Sequence, residues 1–298
     1  MVGTTSRRAF LVAAGAVLTE GCARSTRSIG IPPAVGQLEQ LERRVGGRMG
    51  VFAVDSSSGA SIEYRADERF AMCSTFKWAL VAALLARVDR GELVLEQTVS
   101  YGEQDLLSYA PLTRAHLAEG KLTLDELAGA SVTVSDNTAA NLLLAHTGGP
   151  EALTRFFRSI GDDVTRLDRN EPTLNSNLPG DARDTTTPRA MALALRAVLT
   201  GSVLSRAGRE RLTRWLVECQ TGVSRLRAGF PSDWKCGDKT GTGERGSCND
   251  VAIVWPPAGA PWLIAAYMSD SSASTSDLSS ALADVGRLVA TRVLSGRS

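Results

Sequence analysis

The sequence predicts an α/β (α+β sandwich) protein in which an antiparallel sheet, flanked by N- and C-terminal helices, carries an inserted all-α domain. Strand-like patterns occur near both ends of the chain, at 49–54 and 61–65 and again at 234–241, 247–255 and 262–268. Helical periodicity dominates the residues between the two groups. Because neither group of strands can bury a face alone, we expect both to join one sheet.

The same patterns predict the domain boundaries. Residues 31–66 and 220–298 form a discontinuous α/β domain, and residues 67–219 form an all-α domain that interrupts it. Residues 1–30 are predicted to be an export signal and linker. The run from Ser74 to about Val88 is almost wholly apolar, so we expect this helix to be buried on all sides. The other predicted helices span 35–45, 123–130, 136–146, 150–160, 187–199, 205–218 and 276–294.

One long segment, 161–187, has no periodicity and is rich in Asp, Asn, Pro and Arg. A loop of that length within a compact domain is usually functional. We therefore expect part of the chemistry to lie there.

The N-terminus has the pattern of an export signal. Arg7 and Arg8 form a twin-arginine start, and the apolar run 11–18 is too short to span a bilayer. Cys22 follows, but the residues before it match a lipobox poorly, so lipid attachment at Cys22 and plain cleavage both remain open. In either case we expect a protein exported to the periplasm or cell envelope, or secreted.

The composition is that of an ordinary globular protein, with 43% hydrophobic and 22% charged residues. The 33 basic residues nearly balance the 32 acidic ones, and no segment clusters the basic ones. Nucleic acid is therefore not an expected partner. The cysteines after Cys22 do not form a disulfide framework and are predicted to be free thiols. We further expect a monomer without metal or cofactor.

A first candidate motif is Ser74-Thr75-Phe76-Lys77. It places a hydroxyl and an amine three residues apart on one helix face, where the lysine can handle the serine proton. The helix N-terminus favours developing negative charge there. Alone the pattern is weak, because a second copy at 232–235 lies in a turn before a strand.

Two further tripeptides each have an ordinary explanation. Ser135-Asp136-Asn137 follows a strand-like Val132-Thr133-Val134 and precedes a helix, so it can be a simple helix cap. Lys239-Thr240-Gly241 ends a strand and can be an edge lysine before a turn. Neither tripeptide is decisive alone.

Together, in this order, the three motifs resemble those of class A β-lactamases and penicillin-binding proteins. The segment Arg166–Asn175 and its continuation to Thr186 are similar to the Ω-loop of class A enzymes almost residue for residue. The resemblance covers about residues 35–295 and implies a β-lactamase/DD-peptidase-like fold. It also implies an Arg169–Asp184 ion pair and a cis Glu171–Pro172 bond.

The resemblance implies a serine β-lactamase that acts on penicillin- and cephalosporin-type antibiotics and confers resistance. Ser74 is then the nucleophile, Lys77 its proton-handling partner and Ser135 the donor to the β-lactam nitrogen. Glu171 and Asn175 hold the deacylating water. The acylation base, Lys77 or Glu171, remains open.

The resemblance also implies a substrate-binding set. Asn137 binds the substrate's side-chain amide, Tyr109 lies at the cleft rim, and the N–H groups of Ser74 and Thr242 form the oxyanion hole. Many relatives carry a carboxylate-binding arginine where this chain has Cys248, and Arg225 matches the alternative position. The remaining binding residues are Lys239, Thr240, Gly241, Thr242 and Arg225.

Two other functions share these motifs. A DD-peptidase acylates on the same serine but lacks the acid of the Ω-loop, and a penicillin-sensing domain captures the drug once. The segment 241–246 matches a dinucleotide fingerprint, but a strand follows it, so we interpret it as a hairpin turn. His116 and His146 are interpreted as structural.

Overall fold

The computed structural model describes residues 1–3 and 32–295. The twin-arginine segment and Cys22 lie outside the described residues. The helices are α1 (Pro32–Val45), α2 (Phe76–Asp89), α3 (Pro111–Ala115), α4 (Leu124–Thr133), α5 (Asn137–Thr147), α6 (Gly149–Ser159), α7 (Pro188–Thr200), α8 (Arg206–Val217) and α9 (Thr275–Ser295). The strands are β1 (Arg48–Asp55), β2 (Ser61–Tyr64), β3 (Phe70–Ala71), β4 (Thr98–Ser100), β5 (Lys121–Thr123), β6 (Thr185–Thr186), β7 (Lys235–Thr242), β8 (Cys248–Trp255) and β9 (Trp262–Ser269).

Strands from both ends of the chain form one antiparallel sheet in the order β2-β1-β9-β8-β7. Strand β1 pairs with β9 in a register that sets Met49 opposite Met268. Every residue of β9 is buried, as expected for a central strand that is covered on both faces. The fold class predicted from the sequence is confirmed.

The two faces of the sheet pack against different helices. Met49 and Val51 of β1 belong to a core with α1 and α9, whereas Phe52 and Val54 belong to a core with the helices of the middle of the chain. Helix α2 lies at the centre of that second core, with ten of its 14 residues buried. The prediction that this helix is buried on all sides therefore holds for most of its residues.

The strand-like interpretation of 132–134 is wrong. Val132 and Thr133 continue α4, which runs to Thr133, and the Thr133 hydroxyl donates to the Gly129 carbonyl at 2.8 Å. Val132 is fully buried in the helical core. Packing thus overrides the strand preference of three consecutive β-branched residues.

The Ω-loop, 166–184, is closed by the predicted ion pair. The Arg169 Nε donates to Asp184 Oδ2 at 2.5 Å, and Asp184 Oδ1 accepts from the backbone N–H groups of Asp168 and Arg169 at 2.7 and 2.9 Å. Asp184 is fully buried. The Glu171–Pro172 bond is cis, as predicted.

Removing this closure is expected to destabilise the protein. Asp184→Ala leaves Arg169 and two backbone N–H groups without their acceptor, which should lower the free energy of unfolding by about 3 kcal/mol. Calorimetry measures the change, with Asp163→Ala as the control, because Asp163 is exposed in the neighbouring turn. An equal effect of both substitutions would show that the buried carboxylate does not hold the loop.

Candidate active site

Residues from distant parts of the chain meet in a cleft of about 300 Å³ between the sheet and the helical region. Eight of the 12 predicted site residues line it, and the other four, Lys77, Glu171, Lys239 and Gly241, are buried behind its wall. The lining residues are Ser74, Tyr109, Ser135, Asn137, Asn175, Thr221, Arg225, Thr240 and Thr242.

Ser74 lies in a short 3₁₀ turn, Cys73–Thr75, that leads into α2. The predicted helix start at Ser74 is thus two residues early for the regular α-helix. The Thr75 hydroxyl donates to the Met72 carbonyl at 2.8 Å and lies 3.0 Å from the Tyr267 hydroxyl, which ties the turn to β9. Strand β7 passes so close that a Cβ at Gly241 would lie 2.7 Å from the Met72 carbonyl oxygen. Glycine is therefore required beside the nucleophile turn.

Glu171 reaches the nucleophile directly. The Ser74 hydroxyl donates to Glu171 Oε1 at 3.0 Å, and Asn175 Nδ2 donates to Glu171 Oε2 at 2.6 Å. The Oδ1 atom of Asn175 is buried and has no hydrogen-bond partner among the described residues, so it can accept from a water molecule. The carboxylate and the amide are therefore adjacent at the reacting hydroxyl.

Lys77 is fully buried between three polar groups. Its Nζ lies 3.0 Å from Glu171 Oε1 and donates to the Ser135 carbonyl at 2.9 Å and to Asn137 Oδ1 at 2.5 Å. A longer contact of 3.4 Å reaches the Ser135 hydroxyl. Burial lowers the pKa of Lys77, and the Glu171 carboxylate opposes that shift. Lys77 thus connects the Ω-loop acid to the Ser-Asp-Asn tripeptide.

The tripeptide itself combines a cap with two site residues. The Asp136 side chain caps α5 by accepting from the Ala139 N–H at 2.9 Å, and its second oxygen accepts from the backbone of Leu112 and Thr113 at 2.9 Å each. Ser135 has a left-handed backbone, with φ of 60°. Asp136 therefore acts as an ordinary helix cap, and its hydrogen bonds hold the predicted site residues on either side of it, Ser135 and Asn137, in place.

Lys239 approaches the same serine from the sheet. Its Nζ donates to the Ser135 hydroxyl at 3.0 Å and to the Thr240 carbonyl at 2.9 Å, and neither partner is a carboxylate. Burial lowers the pKa of Lys239 to about 8. The Ser135 hydroxyl therefore lies between two buried lysines.

The low pKa of Lys239 predicts a pH dependence. The resemblance implies that Lys239 attracts a substrate carboxylate. Its positive charge is present below about pH 8 and is lost as the pH rises through that value, so kcat/KM for a penicillin should fall on the alkaline side. A Lys239→Arg variant keeps its charge to far higher pH and should shift this decline upward. If the alkaline decline stays in place in that variant, another group causes it.

The end of the cleft beside β7 carries a guanidinium. Arg225 is 6% exposed. Its Nη1 donates to the carbonyls of Gly241 and Asn249 at 2.8 and 2.7 Å, and its Nη2 donates to the Thr242 hydroxyl at 2.6 Å. Cys248 lies opposite Thr242 in the β7–β8 register and is buried. Among these residues, the cationic group that lines the cleft is Arg225.

Two residues of the site escaped sequence analysis. Asn141 holds the Ω-loop, because its Nδ2 donates to the Glu171 carbonyl at 2.9 Å and its Oδ1 accepts from the Glu171 N–H at 3.0 Å. Its spacing of four residues from Asn137 on α5 was a usable signal. Thr221 also lines the cleft, and it lies in a loop where no periodicity indicates its direction.

Other expectations concern residues outside the cleft. The segment 241–246 contains the end of β7 and most of the turn of the β7–β8 hairpin, which agrees with the interpretation as a hairpin turn. The four cysteines in the described residues, Cys73, Cys219, Cys236 and Cys248, are free, which confirms that prediction. A Cβ at Gly243 would lie 2.6 Å from Cys73 Sγ, so Gly243 lies directly beside this thiol.

Two other features are absent from the described residues. No helix among them is both long and apolar enough to cross a membrane. In the same part of the chain, no group of three or more His, Cys, Asp or Glu residues could hold a metal ion.

Comparisons with known proteins agree with one another. The model of the β-lactamase enzyme family matches residues 34–293. β-Lactamase CTX-M-8 of Citrobacter amalonaticus is 45% identical over 85% of this chain and 87% of that protein. β-Lactamase L2 of Stenotrophomonas maltophilia is 48% identical over 83% of this chain and 82% of that protein.

Solved structures give the same result. The ancestral (GNCA) class A β-lactamase superimposes with a TM-score of 0.85 at 53% identity, over 87% of this chain and 99% of that chain. The class A β-lactamase of the last common ancestor of Gram-negative bacteria (GNCA4) has a TM-score of 0.86 at 54% identity, over 87% of this chain and 99% of that chain. On this evidence, the chain belongs to the class A β-lactamases.

Proposed function

We propose that this protein hydrolyses the β-lactam amide of penicillin- and cephalosporin-type antibiotics through an acyl-enzyme on Ser74, and so confers resistance to them. The observation that carries the proposal is the 3.0 Å hydrogen bond from the Ser74 hydroxyl to Glu171 Oε1. A nucleophile in contact with an Ω-loop acid has a group that can activate water after acylation.

Glu171 is the acylation base in this proposal. It is the group that accepts the Ser74 hydrogen bond, and Lys77 Nζ also lies 3.0 Å from the same Oε1 atom. As Ser74 Oγ attacks the β-lactam carbonyl carbon, its proton passes to Glu171. The C–N bond of the four-membered ring then breaks, and the ring nitrogen needs a proton.

That proton is supplied by Ser135. Lys77 contacts both Glu171 and Ser135, so it can transfer one of its protons to the Ser135 hydroxyl oxygen and receive the proton of the Glu171 carboxyl group in its place. Ser135 in turn donates to the departing nitrogen, and Lys239 stabilises the electron-rich oxygen from the other side at 3.0 Å. The relay leaves Glu171 ionised again.

Deacylation uses the same carboxylate. Glu171 accepts a proton from a water molecule that also donates to Asn175 Oδ1, the buried acceptor without a partner among the described residues. The resulting hydroxide attacks the ester carbonyl carbon, and Ser74 Oγ leaves with the proton from Glu171. In both steps, the N–H groups of Ser74 and Thr242 stabilise the oxyanion.

The substrate is held at both ends. At one end, Asn137 binds the side-chain amide and Tyr109, which is 50% exposed at the cleft, covers it. At the other end, Arg225 and Lys239 attract the carboxylate, with the strand residues Thr240, Gly241 and Thr242 beside it. The positive charge of this end and the hydroxyls around it suit an anion.

Mixing the purified protein with excess benzylpenicillin tests the proposal against its two rivals. Consumption of many equivalents per protein supports hydrolysis. Consumption of a single equivalent, with a stable adduct, would instead identify a DD-peptidase or a penicillin sensor.

We also propose that the protein is exported and acts as a monomer. Arg7, Arg8 and the following apolar run support export, and lipid attachment at Cys22 remains the alternative to cleavage. The large hydrophobic residues exposed in the described part of the chain beyond residue 3 each lie in a different loop or helix, which supports the monomer: Val94, Tyr109, Leu178, Leu193, Val223 and Leu294. Cell fractionation and sedimentation of the mature protein test the two points, and a cytoplasmic or dimeric protein would contradict them.

A further inference from the structure

Thr221 is a cleft residue that the mechanism above does not use. Its Oγ1 lies 2.5 Å from Thr240 Oγ1, and it lines the cleft beside Thr240 and Arg225. Thr240 belongs to the strand that carries Lys239, and Arg225 is the cleft's guanidinium. Thr221 therefore adds a hydroxyl to the end of the cleft that is expected to bind the substrate carboxylate.

The backbone around Thr221 is fixed by close packing. The Gln220 N–H donates to the Thr133 carbonyl at 2.8 Å, which anchors the segment to the end of α4. A Cβ at Gly222 would lie 1.9 Å from Asp238 Oδ2, so this loop lies directly on β7. The residues on both sides of Thr221 are thus anchored, one to the end of α4 and the other against β7.

The short contact between the two hydroxyls constrains their protons. Two oxygens 2.5 Å apart share one hydrogen bond, so one of the two protons lies between them and the other can be donated elsewhere. When Thr221 donates, the Thr240 proton is free to point into the cleft. A hydroxyl whose oxygen already accepts a hydrogen bond is a stronger donor, because hydrogen bonds in a chain polarise one another.

Cys219 provides the next link of this chain. Its Sγ lies 3.3 Å from Thr221 Oγ1. Burial raises the pKa of the Cys219 thiol, so it keeps its proton at neutral pH and can donate to the Thr221 oxygen. A proton donated by the thiol to the Thr221 oxygen leaves the Thr221 proton for Thr240 and the Thr240 proton for the cleft.

We propose that Thr221 is a positioning residue for substrate binding: its hydroxyl donates to Thr240 and leaves the Thr240 hydroxyl to donate to the substrate carboxylate. The inference rests on the proposed function, since it assigns a role within recognition of an anionic β-lactam.

The test compares benzylpenicillin, which carries the free carboxylate, with its methyl ester, in which that group is uncharged. The quantity measured is the second-order rate constant for acylation of Ser74, followed by rapid quenching and mass spectrometry. Thr221→Val keeps the shape but removes the hydroxyl, and should lower the preference for the free acid over the ester about fivefold to tenfold. Thr221→Ser restores a hydroxyl and should restore the preference.

The matched control is Thr213→Val, the same change on α8 outside the cleft, which should leave the preference unchanged. A purely structural defect in Thr221→Val would slow both substrates equally and would overturn the inference, as would failure of Thr221→Ser to restore the preference. Wild-type protein that is not acylated by either substrate would overturn the proposed function as well, so the two failures are distinguishable.

Discussion

Glu171→Gln is expected to accumulate a covalent acyl-enzyme and to lower steady-state penicillin turnover by about 10³-fold, the usual size of a general-base effect. The amide cannot accept a proton from water, so the ester on Ser74 persists. Acylation should continue more slowly through Lys77. Loss of the neighbouring carboxylate removes the charge that holds up the pKa of this buried amine, so more of it is neutral and able to accept the Ser74 proton.

Intact-protein mass spectrometry over time measures the effect. The variant should gain the whole mass of the penicillin and keep it, whereas the wild-type protein should show little adduct at steady state. Glu151→Gln, a substitution of an exposed glutamate on α6, is the control and should turn over normally. Normal turnover by Glu171→Gln would show that another group activates the water.

Lys77→Met is expected to block acylation of Ser74, the step before deacylation, and to lower its rate by about 10³-fold or more. Methionine has a similar length but no amine. The contact of residue 77 with Glu171 and its hydrogen bonds to the Ser135 carbonyl and Asn137 Oδ1 are therefore lost. Unlike Glu171→Gln, this variant should therefore show almost no adduct when mixed with penicillin. Rapid-quench mass spectrometry distinguishes the two variants on the same time scale.

The Lys77 substitution needs its own control for folding. It leaves Glu171, which is 4% exposed, without its cation, at an expected cost of about 3 kcal/mol in unfolding free energy. The double variant Lys77→Met/Glu171→Gln removes the unpaired charge and should regain much of that stability while staying inactive. Rapid acylation of either variant would contradict a role for Lys77 in proton transfer.

Much of the architecture could be predicted because its signals are long. The apolar runs of β1, β8 and β9 and the need to bury them together were enough to predict the antiparallel sheet. The elements that were missed are short. Strands β3 and β6 have two residues each and α3 has five, too few to show a period.

The site could be predicted in composition but not in its contacts. Motif order and the Ω-loop likeness identify Ser74 and Glu171, yet no pattern in the sequence indicates that their side chains touch. That contact depends on a loop that is closed by the ion pair of Arg169 and Asp184, two residues 15 positions apart in the sequence. Thr221 was missed for the same reason, because its significance comes only from its 2.5 Å contact with Thr240.

Peptide mapping of the adduct trapped on Glu171→Gln tests the central claim most directly, which is that the three motifs and the Ω-loop act on one hydroxyl. Tandem mass spectrometry after proteolysis should place the penicilloyl group on Ser74 alone. An adduct on any other residue, or an unmodified Ser74 in a variant that has lost turnover, would contradict the account.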